Sequence, residues 1–142
     1  MNLIQRSYVF VAGVAMMGIG AYTALSPAAY VANLQSTALA EATLSPGVNL
    51  LSDLRGMGGL LLTASMFIVL GAFQSAWLRS AMVLSTVIYS VFVVFRVLGI
   101  VLDGLPETAL MLALAIECVL SLLGFLLLAK TRFSRAFKEQ AV

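Results

Sequence analysis

Three charged residues, Arg55, Arg96 and Glu117, stand inside long apolar stretches of this chain. An isolated charge at the centre of a membrane-spanning helix costs about 2.5 to 3.5 kcal/mol on insertion scales. A guanidinium group and a carboxylate remove much of that cost when they form a charge-assisted, bidentate hydrogen-bonded pair. We therefore expect the three side chains to turn inward and to meet in one buried polar cluster.

Two arginines facing one glutamate leave one positive charge in excess. Asp53 lies at the start of the second apolar stretch and Asp103 follows the third, and either carboxylate, or an anionic ligand, can balance that charge. Asp53 cannot pair with its neighbour Arg55, because residues two apart lie about 200° apart around a helix. Both aspartates are therefore candidate members of the cluster.

The residues around the two arginines favour a pocket. Gly58 and Gly59 remove side chains beside Arg55, and Tyr89 offers an aromatic wall next to Arg96. An apolar cavity with a few convergent polar groups is the usual form of a ligand site. The glycines have a second interpretation, since small residues also allow two helices to pack closely in lipid.

We expect the cluster to bind a small or lipid-like ligand with an acidic head, in a binding protein or an accessory subunit. Two alternatives stay open. The cluster can be a purely structural ion-pair network that fixes how the helices are arranged. It can also serve proton-coupled transport, because a mid-membrane carboxylate such as Glu117, if it lacks a firm partner, can load and release a proton.

The composition argues against several kinds of site. The chain has no His and a single Cys, so the ligand spacings of zinc and haem sites are absent, and we expect neither a metal nor a cofactor. Nothing resembles a nucleophile paired with its base, which disfavours an enzyme. Cys118 on its own is typical of a small buried hydrophobic residue.

Four apolar runs must position these side chains, at about residues 8–25, 48–73, 80–102 and 106–129. The chain is 62% hydrophobic and only 10% charged, whereas soluble domains are about 25% charged. The first run could be a signal peptide, but its 18 uncharged residues exceed the usual apolar core of about 7 to 15. We predict an all-α integral membrane protein, a four-transmembrane-helix up-and-down bundle that forms a single membrane domain over residues 1–142.

The connections between the runs follow from turn signals. Ser26 and Pro27 end the first helix and start a short helix over about 27–34, which we expect to lie in the membrane interface. The stretch 35–48 is the least apolar part of the chain and is expected to be the largest loop. The sequence Asp-Gly-Leu-Pro at 103–106 predicts a tight turn, whose proline starts the fourth span.

Three of the predicted helices carry a stripe of small or polar residues along one face. These stripes are Gly13, Met17, Gly20 and Ala24 in the first helix, Ser85, Tyr89, Phe92, Arg96, Gly99 and Asp103 in the third, and Ala113, Glu117, Ser121 and Gly124 in the fourth. Small residues let helices approach closely in lipid, so we expect the stripes at helix contacts.

Charge is distributed unevenly between the two sides of such a bundle. Arg6, Arg79 and the basic tail 130–142 fall on one side, and Glu41, Asp103 and Glu107 fall on the other. Because segments rich in Lys and Arg stay in the cytoplasm, we expect a cell inner (plasma) membrane protein with both termini cytoplasmic. A basic tail beside a membrane helix binds anionic headgroups, and we expect no nucleic-acid partner.

The charged residues form a recurring order along the chain. The stretch Asp53-Leu54-Arg55-Gly56-Met57-Gly58-Gly59 opens the second span, Arg96-Val97-Leu98-Gly99 ends the third, Asp103-Gly104-x-Pro106 forms the turn, and Glu117 lies in the fourth. This order resembles a family of small bacterial four-helix inner-membrane proteins catalogued as a domain of unknown function, over about Val11 to Leu128. The resemblance implies the fold, an unusual charged site and a bacterial inner membrane, and it carries no activity. The partners we expect are the bilayer, a small amphiphilic ligand, and a second copy of the chain or another membrane protein.

Overall fold

The computed structural model of this protein describes residues 3–35, 47–106 and 108–139, with side chains at all of these positions except 35 and 132–139. Its helices are α1 (Leu3–Leu25), α2 (Pro27–Gln35), α3 (Val48–Phe73), α4 (Leu78–Asp103) and α5 (Thr108–Glu139). All but α2 contain a stretch long and apolar enough to cross a membrane, with mean hydropathies of 1.7, 1.9, 2.2 and 2.5 in chain order. The predicted all-α, four-helix membrane architecture is therefore confirmed.

The helix boundaries agree with the sequence-based prediction in the middle of the chain. The second predicted span coincides with α3, and the short helix after Pro27 ends at Gln35, next to its predicted end. Backbone hydrogen bonds explain the break before α2. The N–H of Ser26 donates to the carbonyl of Tyr22, and the carbonyl of Ser26 accepts from Tyr30, both at 3.0 Å. Ser26 is thus shared between α1 and α2, and the proline that follows it gives up no helical hydrogen bond.

The boundaries differ at the two ends of the chain. α1 begins at Leu3 rather than at residue 8, so more than one additional turn is helical. α5 begins at Thr108 rather than at Pro106 and continues to Glu139 rather than ending at residue 129. The predicted loop around Glu41 and the predicted helix-starting Glu107 lie outside the described residues. So do the side chains of the tail from 132 onward, and headgroup binding by this tail stays a prediction.

α1 and α3 form the most extensive helix pair, and glycines make their close approach possible. A Cβ atom on Gly20 would lie 2.6 Å from the backbone nitrogen of Leu62, and one on Gly13 would lie 2.7 Å from Cγ2 of Val69. Gly58 leaves the same kind of space for the backbone of α1. Residues later in α1 meet residues earlier in α3, so the two helices are antiparallel. They meet along the small-residue stripe of α1.

α4 and α5 form the second antiparallel pair, and α4 also packs against α1 and α3. α5 touches α1, whereas α3 and α5 make no contact within the described part of the chain. The bundle therefore consists of two helix pairs joined mainly through α4. α4 ends at Asp103 and is followed by Gly104, whose φ of 100° is a backbone conformation that residues with a Cβ atom rarely adopt.

The up-and-down arrangement gives the bundle two ends, which we call the Arg6 end and the Asp103 end. The Arg6 end contains the starts of α1 and α4 and the ends of α3 and α5, and the Asp103 end contains their opposite termini. Among the residues whose side chains the structure describes, the charged ones at the Arg6 end are Arg6, Arg79 and Lys130, and those at the Asp103 end are Asp53, Arg55 and Asp103. These three side chains at the Arg6 end are all cationic.

The outer faces of the long helices are covered by bulky apolar side chains. Leu60, Val101 and Leu112, for example, are more than half exposed, as is expected where lipid rather than protein is the neighbour. Cys118 is also exposed, so the prediction that it is buried is wrong. Successive side chains of a helix point about 100° apart, so Cys118 points outward because its neighbour Glu117 points into the bundle.

Candidate functional site

Arg96 on α4 and Glu117 on α5 form an ion pair inside the bundle. Nε of Arg96 donates a hydrogen bond of 2.7 Å to Oε2 of Glu117. The Glu117 side chain is 7% exposed and the Arg96 side chain is 29% exposed. The pair forms because each residue lies on the stripe of its helix that faces the other helix. Two of the three predicted charges are thus brought together.

Arg55 does not join this pair, and the prediction that all three charges meet is wrong. Its Nη1 donates a hydrogen bond of 3.1 Å to the carbonyl oxygen of Ala24, and the residue is exposed. Ala24 lies in the last turn of α1, where carbonyl groups have no partner within the helix. The physical reason for the separation is that α3 packs on α1 and, among the described residues, does not reach α5.

A cavity of about 200 Å³ lies beside the ion pair at the Asp103 end. We call it the Arg96 cavity. Its polar lining comes from Arg96 and Asp103, and its apolar lining comes from Ile100, Leu110 and Leu114. Gly104 and Pro106, in the turn between α4 and α5, close one side. Asp103 therefore lies at the rim of the site, as expected, although it forms no ion pair with Arg96.

The other predicted site residues lie away from the Arg96 cavity. Asp53 is exposed and belongs to no ion pair among the described residues. A Cβ atom on Gly58 would collide with the backbone of α1, whereas one on Gly59 would meet open space. Tyr89 donates a hydrogen bond of 2.8 Å to the carbonyl of Ala12. Gly58 thus serves close helix packing, and Tyr89 joins α4 to α1 and does not line the Arg96 cavity.

Buried hydroxyl groups continue from the ion pair toward the Arg6 end. Oγ of Ser90 and Oγ of Ser121 lie 2.7 Å apart. The Tyr8 hydroxyl donates to the carbonyl of Leu120 at 3.1 Å and lies 3.4 Å from Oγ1 of Thr86. Three helices, α1, α4 and α5, are therefore joined by hydrogen bonds along one line.

Most of this line of hydroxyl groups is absent from the site predicted from the sequence. A signal for it exists, because Ser90 follows Thr86 by four residues and Ser121 follows Glu117 by four. Residues with that spacing share a helix face. Tyr8 is the first residue of the predicted first span, where a contact with the bundle interior is not expected, whereas it lies well inside α1.

The donor set of the site suits recognition of an acidic group rather than coordination of a metal. Among the described residues, no three or more His, Cys, Asp or Glu side chains lie close enough together to hold a metal ion. Arg96 carries five N–H donors in a planar fork that matches a carboxylate or phosphate group. Only its Nε–H donates to another group in the part of the chain that the structure describes.

Comparison with known proteins gives a family match over most of the chain. Residues 4–128 match the family model described as Domain of unknown function (DUF4345). This range includes both residues of the ion pair and every residue that lines the Arg96 cavity. No curated protein and no solved structure matches the chain.

Proposed function

The chain belongs to the DUF4345 family, and we propose that this member is a membrane protein that binds an amphiphile in the Arg96 cavity. The polar head of the amphiphile contacts Arg96, and its tail lies in the lipid against the apolar residues of α4 and α5. The four membrane-length helices and the apolar outer faces support a ligand that arrives from the bilayer.

The observation that carries the proposal is the unused donor capacity of Arg96. Its Nε–H is taken by Glu117, while Nη1 and Nη2 have no hydrogen-bond partner within the described residues. Burial of a donor that has no partner costs free energy, because the group loses hydrogen bonds to water without forming others. An acidic head in the adjoining cavity supplies two acceptor oxygens for these two nitrogens.

The charges around the Arg96 cavity indicate which kind of polar head group the amphiphile carries. Glu117 and Asp103 are two carboxylates beside one guanidinium group, and Asp103 lines the cavity itself. A head that carries only negative charge is repelled by Asp103. A head with both an acidic group and an amine matches the site, because the acidic group pairs with Arg96 and the amine approaches Asp103. We therefore propose a zwitterionic amphiphile, such as an ethanolamine phospholipid.

The two alternatives explain less of the geometry. A purely structural ion pair accounts for the bond between Arg96 and Glu117, but it leaves the free guanidinium nitrogens and the cavity unexplained. The proton-carrier hypothesis needs a carboxylate without a firm partner, and Glu117 has Arg96 at 2.7 Å. We do not propose transport for this reason.

The test is native mass spectrometry of the protein released from mild detergent or from lipid nanodiscs of mixed composition. We expect the wild type to retain an ethanolamine lipid in preference to a choline lipid with the same acyl chains. Asp103→Asn should abolish this preference, because it removes the partner of the amine. The double variant Arg96→Gln/Glu117→Gln should lose the lipid without leaving an unpaired buried charge.

Arg55→Gln is the matched control, because it removes an arginine at the same end of the bundle that does not line the cavity. It should retain the lipid as the wild type does. An empty wild-type protein, or equal retention by the wild type and the double variant, would rule out the proposed function.

We also propose that the protein lies in a bacterial inner membrane with both termini in the cytoplasm. The cationic Arg6 end, with Arg6, Arg79 and Lys130, supports this orientation, because basic residues stay on the cytoplasmic side. Reporter fusions that are active only in the cytoplasm should be active at both termini. Activity at only one terminus contradicts an even number of crossings, and activity at neither contradicts the orientation.

A further inference from the structure

A second and larger cavity, of about 470 Å³, lies at the Arg6 end of the bundle. We call it the Gln5 cavity. It extends along α4 from Leu78 to Val87, about 14 Å at the rise of a helix. Its deeper walls include Phe125 and Leu128 of α5, and Gln5 of α1 reaches it from a third helix. Its volume lies in the range of about 300 to 1,000 Å³ that is usual for ligand sites.

Gln5 is an unusual residue for the wall of an apolar cavity. It is only 6% exposed, and its side-chain amide forms no hydrogen bond with any described residue. An amide carries two N–H donors and an acceptor oxygen, and nearly all such groups find partners when they are buried. A buried amide that lines a cavity and has no partner among the described residues favours a polar occupant of that cavity.

The charge at this end of the bundle selects the occupant. Arg79 lines the Gln5 cavity and forms no ion pair among the described residues. Arg6 lies close by, since its Nη2 donates a hydrogen bond of 2.8 Å to Oγ of Ser75, which also lines the cavity. The acidic residues whose side chains the structure describes, Asp53, Asp103 and Glu117, lie in the interior or at the opposite end of the bundle. An anionic group is therefore favoured here, in contrast to the zwitterionic head that suits the Arg96 cavity.

We infer that the Gln5 cavity binds one anionic phospholipid from the membrane leaflet at the Arg6 end. Its phosphate pairs with Arg79 and accepts a hydrogen bond from the amide of Gln5. One acyl chain follows the apolar wall past Phe125 and Leu128 toward the centre of the bundle. A small soluble anion would leave these apolar walls uncovered, whereas a phospholipid fills both the polar rim and the apolar interior.

The experiment measures lipid retention by native mass spectrometry after reconstitution with phosphatidylglycerol and phosphatidylcholine that carry the same acyl chains. We expect the wild type to keep one phosphatidylglycerol per chain and to discriminate against phosphatidylcholine. Arg79→Gln should lower this retention about tenfold, since a hydrogen bond to a charged group is lost. Gln5→Leu keeps a similar volume and should lower retention severalfold without loss of the fold.

Arg55→Gln is again the control, because it removes a cation at the other end of the bundle and should leave phosphatidylglycerol retention unchanged. A further arm offers free fatty acid and inorganic phosphate. Retention of either in place of phosphatidylglycerol overturns the assignment of a phospholipid. Equal retention of both phospholipids by the wild type overturns it as well. Arg79→Gln alters an exposed residue and should fold normally, so unchanged phosphatidylglycerol retention in this variant also overturns the assignment.

The inference is independent of the proposed function at the Arg96 cavity. The two sites lie at opposite ends of the bundle, take heads of different charge and respond to different substitutions. Arg96→Gln/Glu117→Gln should not change phosphatidylglycerol retention, and Arg79→Gln should not change ethanolamine lipid retention. The mass of the retained lipid therefore shows which of the two proposals has failed.

Discussion

The ion pair between Arg96 and Glu117 is held by one hydrogen bond between unequally buried partners. Glu117 is almost fully enclosed, whereas Arg96 keeps about a third of its side chain at the surface of the cavity. Removal of the arginine would leave an uncompensated carboxylate in the interior. Removal of both charges leaves two amides of similar size, which is often tolerated because the cost of burying the charges disappears as well.

The first prediction concerns the stability of this pair. Arg96→Gln should lower the free energy of unfolding by about 3 kcal/mol or more, because it leaves Glu117 buried without a counter-charge. The double variant Arg96→Gln/Glu117→Gln should recover most of that loss. Arg55→Gln should cost less than about 1 kcal/mol, since it removes one exposed hydrogen bond. Unfolding in mixed detergent micelles measures all three, and additive losses in the double variant would contradict a direct pair.

At the level of helices, α1 and α3 stabilise each other at both ends. Arg55 of α3 donates to the carbonyl of Ala24 in the last turn of α1. Arg6 of α1 reaches the end of α3, where Nη1 lies 3.5 Å from the carbonyl of Phe73. Cations favour the C-terminal ends of helices, where unpaired carbonyl groups collect. Each of the two antiparallel helices thus supplies an arginine that caps the C-terminal end of the other helix. The glycines along their contact allow the two backbones to approach closely.

The second prediction tests which of the two neighbouring glycines of α3, Gly58 or Gly59, is required for close packing against α1. Gly58→Ala should lower the free energy of unfolding by about 1 to 3 kcal/mol, because the added methyl group meets the backbone of α1 at Thr23 and Ala24. Gly59→Ala faces open space and should be neutral or stabilising by up to about 1 kcal/mol, since alanine favours helices. Equal effects of the two variants in the same unfolding assay would show that the contact is not made.

The helices could be predicted from the sequence because each needs only local information. An uncharged run of sufficient length must cross the membrane as a helix, and stripes such as that of Glu117 and Ser121 identify its inner face. The position of Arg55 could not be predicted in this way. The depth of Arg55 in the membrane can be estimated from the number of residues between it and the end of its helix. The neighbours of its side chain, however, depend on which helix α3 packs against. The small-residue stripe with Gly13 and Gly20 was recognised, while its partner helix was not, and that partner is α3.

At the scale of the whole molecule, the two helix pairs differ in what holds them together. The pair α1/α3 is joined by close backbone packing at glycines, with its charged groups at the ends. The pair α4/α5 carries the buried ion pair, the contact between Ser90 and Ser121, and most of the lining of both cavities. Polar groups in a membrane interior are rare and mark functional regions. The proposed ligand sites therefore lie mainly on α4/α5, and α1 adds Gln5 to the larger one.

The separation of Arg96 and Glu117 along the chain has a consequence for biogenesis. The arginine is synthesised 21 residues before its counter-ion, so α4 emerges from the ribosome as a charged segment with no neutralising partner. A charged residue at the centre of a segment adds about 2.5 to 3.5 kcal/mol to the free energy of its release into lipid. We expect α4 to wait at the insertion machinery until α5 arrives and to enter as a helical hairpin. Chains truncated before Glu117 should then integrate α4 poorly in a glycosylation-mapping assay, and Arg96→Leu should restore integration; efficient insertion of the truncated wild type would exclude this order of events.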